Sequence, residues 1–248
     1  MQPVMIALGA FFFKWRNLLF PLMVAAAWIA VPPNPAFLGS ERLGEIKDMV
    51  AIGIVASGVA LRLAVLGFTH IRRGGHKLQV AADRLETRGV FGLTRNPLYV
   101  GNILVWLGVF VMHGNPLLIL AGTAQFAFIY HCLVLNEEAF LAAKFGGAYA
   151  EYRQTVPRWA FRMSRWRASF EGMRWSGRRA LLTDYTALAN GFGLIAITEL
   201  VEHLRRGESL QVSHHALWSA VAIAALTLWV LAVRLYKRSP QVRASLRV

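Results

Sequence analysis

Stretches of predominantly apolar residues recur along this chain at close to the length, about 20 residues, that crosses ~30 Å of hydrocarbon. They lie at 4–31, at 49–70, from Tyr99 to the HGNP turn at 113–116, at 116–135, at 185–203 and at 216–236. In lipid every backbone polar group must be satisfied within the segment or a closed barrel, and none of these stretches alternates as barrel strands do. The chain therefore reads as an all-α integral membrane protein with about six transmembrane helices. Its composition agrees, with 56% hydrophobic and 16% charged residues among 248.

The first stretch divides at Lys14 and Arg16, which suggests an interfacial helix to Phe13 and a crossing from Leu18 to Val31, ended by VPPNP. It reads as a membrane anchor, without a convincing removable signal peptide. Asn115 and Pro116 make the connection between the third and fourth spans a tight turn followed by a good helix start.

The net charge of +14 raises nucleic acid as a partner, but basic loops beside anionic headgroups account for it better, so no nucleic acid is expected. The segment 71–98 holds Arg72, Arg73, Lys77, Arg84, Arg88 and Arg95 against Asp83 and Glu86, and the tail adds Lys237, Arg238, Arg243 and Arg247. The loop at 32–48 is nearly balanced. Both termini are therefore expected in the cytoplasm, with Arg205 and Arg206 as a mild violation. A bacterial inner membrane fits the short loops, with an endoplasmic reticulum membrane as the alternative.

The stretch VPRWAFRMSRWRASFEGMRWSGRRALLT at 156–183 carries seven arginines and one acid. Trp159, Met163, Trp166, Phe170 and Met173 follow one another at steps of four and three, the pattern of an amphipathic helix in the headgroup plane with arginines on anionic lipid.

Polar residues that lipid does not explain collect at the cytoplasmic ends of spans two, three and four. They are Arg62, then Arg95, Asn96 and Tyr99, then Asn136, Glu137 and Glu138. The acidic pair is either a solvated helix start paired to an arginine or, facing a mouth, a site for an ammonium, a sulfonium or ribose hydroxyls. Arg95 and Asn96 would suit a carboxylate, with Pro97 biasing Asn96 toward extended backbone that leaves nearby groups open to a ligand. Arg62 lies about 12 Å below the cytoplasmic end of its helix, so it either snorkels or faces the bundle interior.

LETRGVFGLTRNPLYVGNILVWLG followed by NEEAFLAAKFGGAYAEYRQTVPRW resembles the superfamily of isoprenylcysteine carboxyl methyltransferases and phospholipid N-methyltransferases. The pattern is carried by Gly89, Phe91, Arg95, Asn96, Pro97, Tyr99 and Gly101, then Glu137, Glu138, Leu141, Phe145, Gly146, Tyr149, Tyr152, Val156 and Pro157. The resemblance covers roughly 50–158. It implies a methyltransferase using S-adenosylmethionine, a cofactor pocket drawn from Arg95, Asn96, Pro97, Leu98, Tyr99, Gly101, Glu137, Glu138, Tyr149 and Tyr152, and Arg62 engaging a lipophilic acceptor, whether carboxylate, amine or thiol, reached from the bilayer. Asn96 stands where the prenylcysteine enzymes usually carry His.

The organisation expected is an anchor and outer loop at 1–48, a methyltransferase core at 49–158, an Arg/Trp-rich interfacial helix at 159–183 and a two-helix membrane extension at 184–248. Two other readings stand beside it: a membrane reductase resembling the NADPH-dependent sterol reductases, and a non-catalytic protein that docks anionic lipid.

Three further features are weaker. Cys132 is alone, which excludes an intramolecular disulfide or a cysteine metal cluster. Glu199 and His203 stand four apart with Glu202, His214 and His215 nearby, but a third ligand is not assured from sequence and no metal is assigned. His113 and His131 read as packing or interface residues.

Overall fold

A computed structural model describes residues 2–34, 36–69, 80–205 and 214–239. Arg72, Arg73, Lys77, Arg206, Arg243 and Arg247, which entered the charge argument, lie outside the described residues. The described chain is helical, with no strand among the described residues: α1 (Gln2–Ala30), α2 (Glu41–Phe68), α3 (Pro97–His113), α4 (Pro116–Thr155), the short α5 (Trp166–Phe170), α6 (Gly177–Arg205) and α7 (His214–Tyr236). Five of these are long and apolar enough to cross a membrane, and α3 is a shorter apolar helix. The all-α integral membrane class is borne out.

Local chemistry sets the ends. Ser40 caps α2 by accepting the Leu43 amide, and Asn115 caps α4 by accepting those of Leu117 and Leu118, with Pro116 at the first helical position. Between α3 and α4, Gly114 takes the left-handed conformation (φ 78°), and a Cβ there would stand 2.3 Å from the Asn34 carbonyl. Buried Lys47 then ties the outer end of the bundle, donating to the carbonyls of Asn34 (3.2 Å) and Met112 (3.0 Å).

α2 and α3 pack closest. A Cβ on Gly58 would lie 2.6 Å from the Gly101 carbonyl, and one on Gly108 would lie 2.8 Å from that of Ala51. Small residues at such crossings let backbones approach where lipid gives no hydrophobic drive between helices. α1 packs on α4 through Phe20, Phe126 and Tyr130, with Trp106 of α3 stacked 4.1 Å from Phe126. α6 packs on α2 and α3, and α7 on α6. The start of α1 lies by Cys132 and Asn136 of α4, and the end of α7 reaches the start of α6, where Lys237 donates to the Leu182 carbonyl. The first turns of α1 and the last turn of α7 therefore lie toward the face that carries Arg95, called here the inner face.

Two expectations are corrected. α1 is one continuous helix with no break at 14–17, because Lys14 and Arg16 ride on its surface, Arg16 over the Phe13 ring at 4.2 Å. The stretch 159–183 is not one amphipathic helix. It forms a 3-10 turn at Met163–Arg165, the five-residue α5 and a left-handed Gly172 (φ 68°) before α6 begins. Part of it packs on protein, Phe170 on Phe68 at 4.8 Å and Trp175 beside Gly67, while Met163, Trp166 and much of Trp175 stay exposed.

Candidate functional site

The Arg-Asn-Pro corner is bound to the segment that follows α4. The Arg95 amide donates to the Pro157 carbonyl (2.9 Å), and Thr94 Oγ1 and Asn96 Nδ2 both donate to that of Arg158 (3.2 and 3.1 Å). The Arg95 guanidinium donates to the carbonyls of Arg153 and Val156 and to Glu138. Arg158 meets the same carboxylate through two further bonds, at 3.0 and 2.7 Å. The corner is therefore a staple, and the backbone groups expected to await a ligand are already paired, with the Asn96 carbonyl accepting Tyr99 and Val100.

Glu137 and Glu138 part company. Consecutive helix residues point about 100° apart, so Glu138 turns into the arginine staple while Glu137 hydrogen-bonds the hydroxyl of Tyr99. The structure does not bring both carboxylates to one mouth. Tyr149 and Tyr152 sit behind the staple in a small core with Val156, where the Tyr152 hydroxyl donates to the Phe91 carbonyl at 2.7 Å.

In front of the staple lies a cleft of about 1640 Å³ between α1 on one side and α6 and α7 on the other, floored by α3. Arg62, Arg95, Asn96, Leu98, Tyr99 and Glu137 line it; Pro97, Gly101, Glu138, Tyr149 and Tyr152 do not. Gly101 faces α2, where a Cβ would collide with the Arg62 stem at 2.6 Å. Its role is to let that arginine pass. At the outer end Trp28 Nε1 donates to Thr198 Oγ1 (3.0 Å), closing α1 against α6. Arg16, Arg234 and Lys237 stand on the inner rim.

Arg62 does not snorkel. It is 3% exposed and turned into the bundle. Its Nε and Nη2 donate to the two carboxylate oxygens of Asp184, each at 2.8 Å, and Nη1 donates to the Leu98 carbonyl and to Asn102 Oδ1. Asp184 sits at a break in α6, with φ −114° and ψ 15°. Sequence reasoning missed both partners. Asn102 stands one turn beyond Leu98 on α3 and was accessible from helical spacing, whereas Asp184 carried no local signal.

Residues 48–148 match the family model described as phospholipid methyltransferase. A probable protein-S-isoprenylcysteine O-methyltransferase of Oryza sativa subsp. indica is 37% identical over 108 residues, 44% of this chain and 55% of that protein. The protein-S-isoprenylcysteine O-methyltransferase of Schizosaccharomyces pombe is 30% identical over 133 residues, 50% of this chain and 52% of that one. The cobalt-zinc-cadmium resistance protein CzcN of Cupriavidus metallidurans is 35% identical over 85 residues, 34% of this chain and 39% of that protein. The chain spans about half the length of the curated relatives it matches. No solved structure matches it. The likeness to these methyltransferases runs from α2 through the body of α4. Asp184, α6 and α7 lie beyond the family-model match.

Proposed function

We propose that the chain is an S-adenosylmethionine-dependent methyltransferase acting on a lipophilic acceptor that reaches the cleft from the bilayer, with the inner face in the cytoplasm. The observation that carries this reading is the cleft itself: a cavity among the apolar helices whose floor is the family-matched α3, with Arg16, Arg62, Arg95, Glu137, Arg234 and Lys237 toward the inner end and Arg205 at the outer one. The residues fit the cofactor's chemistry. Glu137, with the faces of Tyr99 and Tyr130 beside it (ring centroids 5.6 Å apart), suits a sulfonium or ribose hydroxyls, and Asn96 and Arg16 suit a carboxylate. When bound, the cofactor supplies an electrophilic methyl group.

The chain's own work is positioning. Holding two reactants in line can supply ~7–11 kcal/mol of barrier reduction, and apolar walls exclude water that would compete. Arg62 is presented as a fixed, charge-compensated unit with Asp184 rather than as a bare cation. It orients the acceptor's polar end through hydrogen bonding. The basic rim of Arg16, Arg234 and Lys237 favours an acceptor with an anionic end, such as a carboxylate, which needs no general base. The same charge favours a membrane surface rich in anionic lipid.

Membranes containing the chain, incubated with methyl-labelled S-adenosylmethionine and a farnesylated cysteine as carboxylate probe, should yield labelled, organic-extractable, base-labile product. The label should disappear with Arg62→Lys, whose ammonium cannot make the planar bidentate contact. Labelling of amine-bearing lipid instead would replace the carboxylate acceptor with an amine.

A further inference from the structure

We propose that Glu199, His203 and His215 form a binding site for a divalent transition-metal ion that ties α6 to α7 at the outer end of the extension. Glu199 and His203 stand one turn apart on α6, and α7 presents His215 opposite them. One ligand atom from each lies within 4.8 Å of the others. His215 Nδ1 is 3.5 Å from Glu199 Oε1, and the rings of His203 and His215 lie near parallel with centroids 5.5 Å apart.

The carboxylate is itself held. Its other oxygen, Oε2, accepts a hydrogen bond at 3.1 Å from the hydroxyl of Ser219, a buried residue one turn along α7 from His215. Outer-shell bonds of this kind orient a ligating carboxylate and leave the facing oxygen aimed at the ion. A site assembled from two helices, with its carboxylate fixed by a buried hydroxyl, is more than a surface patch of imidazoles.

Donor chemistry selects the ion. Two imidazoles and one carboxylate suit zinc and its first-row neighbours, with bonds of about 2.0–2.2 Å and a fourth position for water. Calcium and magnesium, which want oxygen ligands throughout, are disfavoured. The His215 side chain is 76% exposed and that of Glu199 31%, so an ion enters from solvent and the rings are able to close on it by side-chain rotation. Once bound, the ion would pin the outer end of the α6–α7 pair. The inner part of α6 is already pinned through Asp184, so the cleft wall between them, including Ile197 and Val201, would be held at both ends.

The test uses the full chain in phosphatidylcholine nanodiscs, with any affinity tag removed and metal stripped by chelator. Titration with Co²⁺ alone should develop the visible d–d absorption of a low-coordinate site at one ion per chain, and Zn²⁺ should abolish it. His203→Ala and His215→Ala should each remove the band. Ser219→Ala should weaken binding by about 10–100-fold, the usual effect of losing an outer-shell partner, and His214→Ala should leave it unchanged. Zn²⁺ should also raise the thermal unfolding temperature of the unmodified chain, since an ion that binds only the folded state stabilises it. Absence of the band and of the thermal shift, or a band that survives both His203→Ala and His215→Ala, would overturn the proposal. If those two variants fail to fold, Glu199→Gln takes their place, and a band unchanged in it overturns the proposal equally. None of these readouts depends on the methyltransferase reading.

Discussion

Arg62 and Asp184 are 122 positions apart and share two hydrogen bonds of 2.8 Å in the bundle interior, with side chains 4% and 2% exposed. One belongs to the family-matched core and the other to the extension beyond it. The extension is therefore structurally part of the candidate site. Without α6, the charge on Arg62 would stand in the bundle uncompensated.

Removing either partner leaves a buried charge unpaired, at a typical cost of ~3–5 kcal/mol. Asp184→Ala and Arg62→Ala should each lower the thermal unfolding temperature in detergent substantially. The double replacement Arg62→Met with Asp184→Leu should recover much of that stability, because an apolar pair of similar size needs no compensation. It should not recover methyl transfer. Full activity in the double variant would remove Arg62 from the acceptor site.

The two adjacent glutamates should separate in function. Glu138→Gln weakens bonds to the guanidinium groups of Arg95 and Arg158, worth about 1.5–3 kcal/mol, so it should lower stability and expose 153–158 to protease. Glu137→Gln should leave the unfolding temperature close to that of the unmodified chain and weaken cofactor binding. Protease mapping and ligand titration on the two variants distinguish the roles. Identical behaviour would contradict the division.

The α2–α3 crossing should tolerate no added volume. Gly58→Ala would place a methyl group 2.6 Å from the Gly101 carbonyl, and overpacking of this kind costs about 1–3 kcal/mol. Gly53, with nothing within 4 Å of a built Cβ, should accept alanine without loss. Thermal unfolding of the two variants side by side measures the difference.

Particular residues mark how far the sequence could be read. The membrane helices and the HGNP turn were legible because apolar length, Gly114, Asn115 and Pro116 act locally. The corner's partners were less so. The resemblance joined Arg95 to the acidic pair, but the helical period alone separates Glu137 from Glu138, and that argument was open to sequence. Asp184 was hidden for a different reason. A lone acid following Arg178 and Arg179 reads as a solvated helix end, and only packing of α6 against α2 brings it to Arg62. The four-three spacing of Trp159, Met163, Trp166, Phe170 and Met173 was real, yet Gly172 breaks the helix, and Trp159 and Phe170 turn onto His131 and Phe68 while Met163 and Trp166 stay exposed. His215 likewise joins Glu199 only when α7 folds back.

The most direct measurement is calorimetric titration of the detergent-purified chain with S-adenosylmethionine, with NADPH as competitor and Glu137→Gln as the control. The account predicts saturable, one-to-one binding that NADPH does not displace and that Glu137→Gln weakens at least tenfold, a loss of about 1.4 kcal/mol or more. No binding of S-adenosylmethionine, or its displacement by NADPH, would contradict the central claim and leave the cleft to a nicotinamide cofactor or to lipid alone.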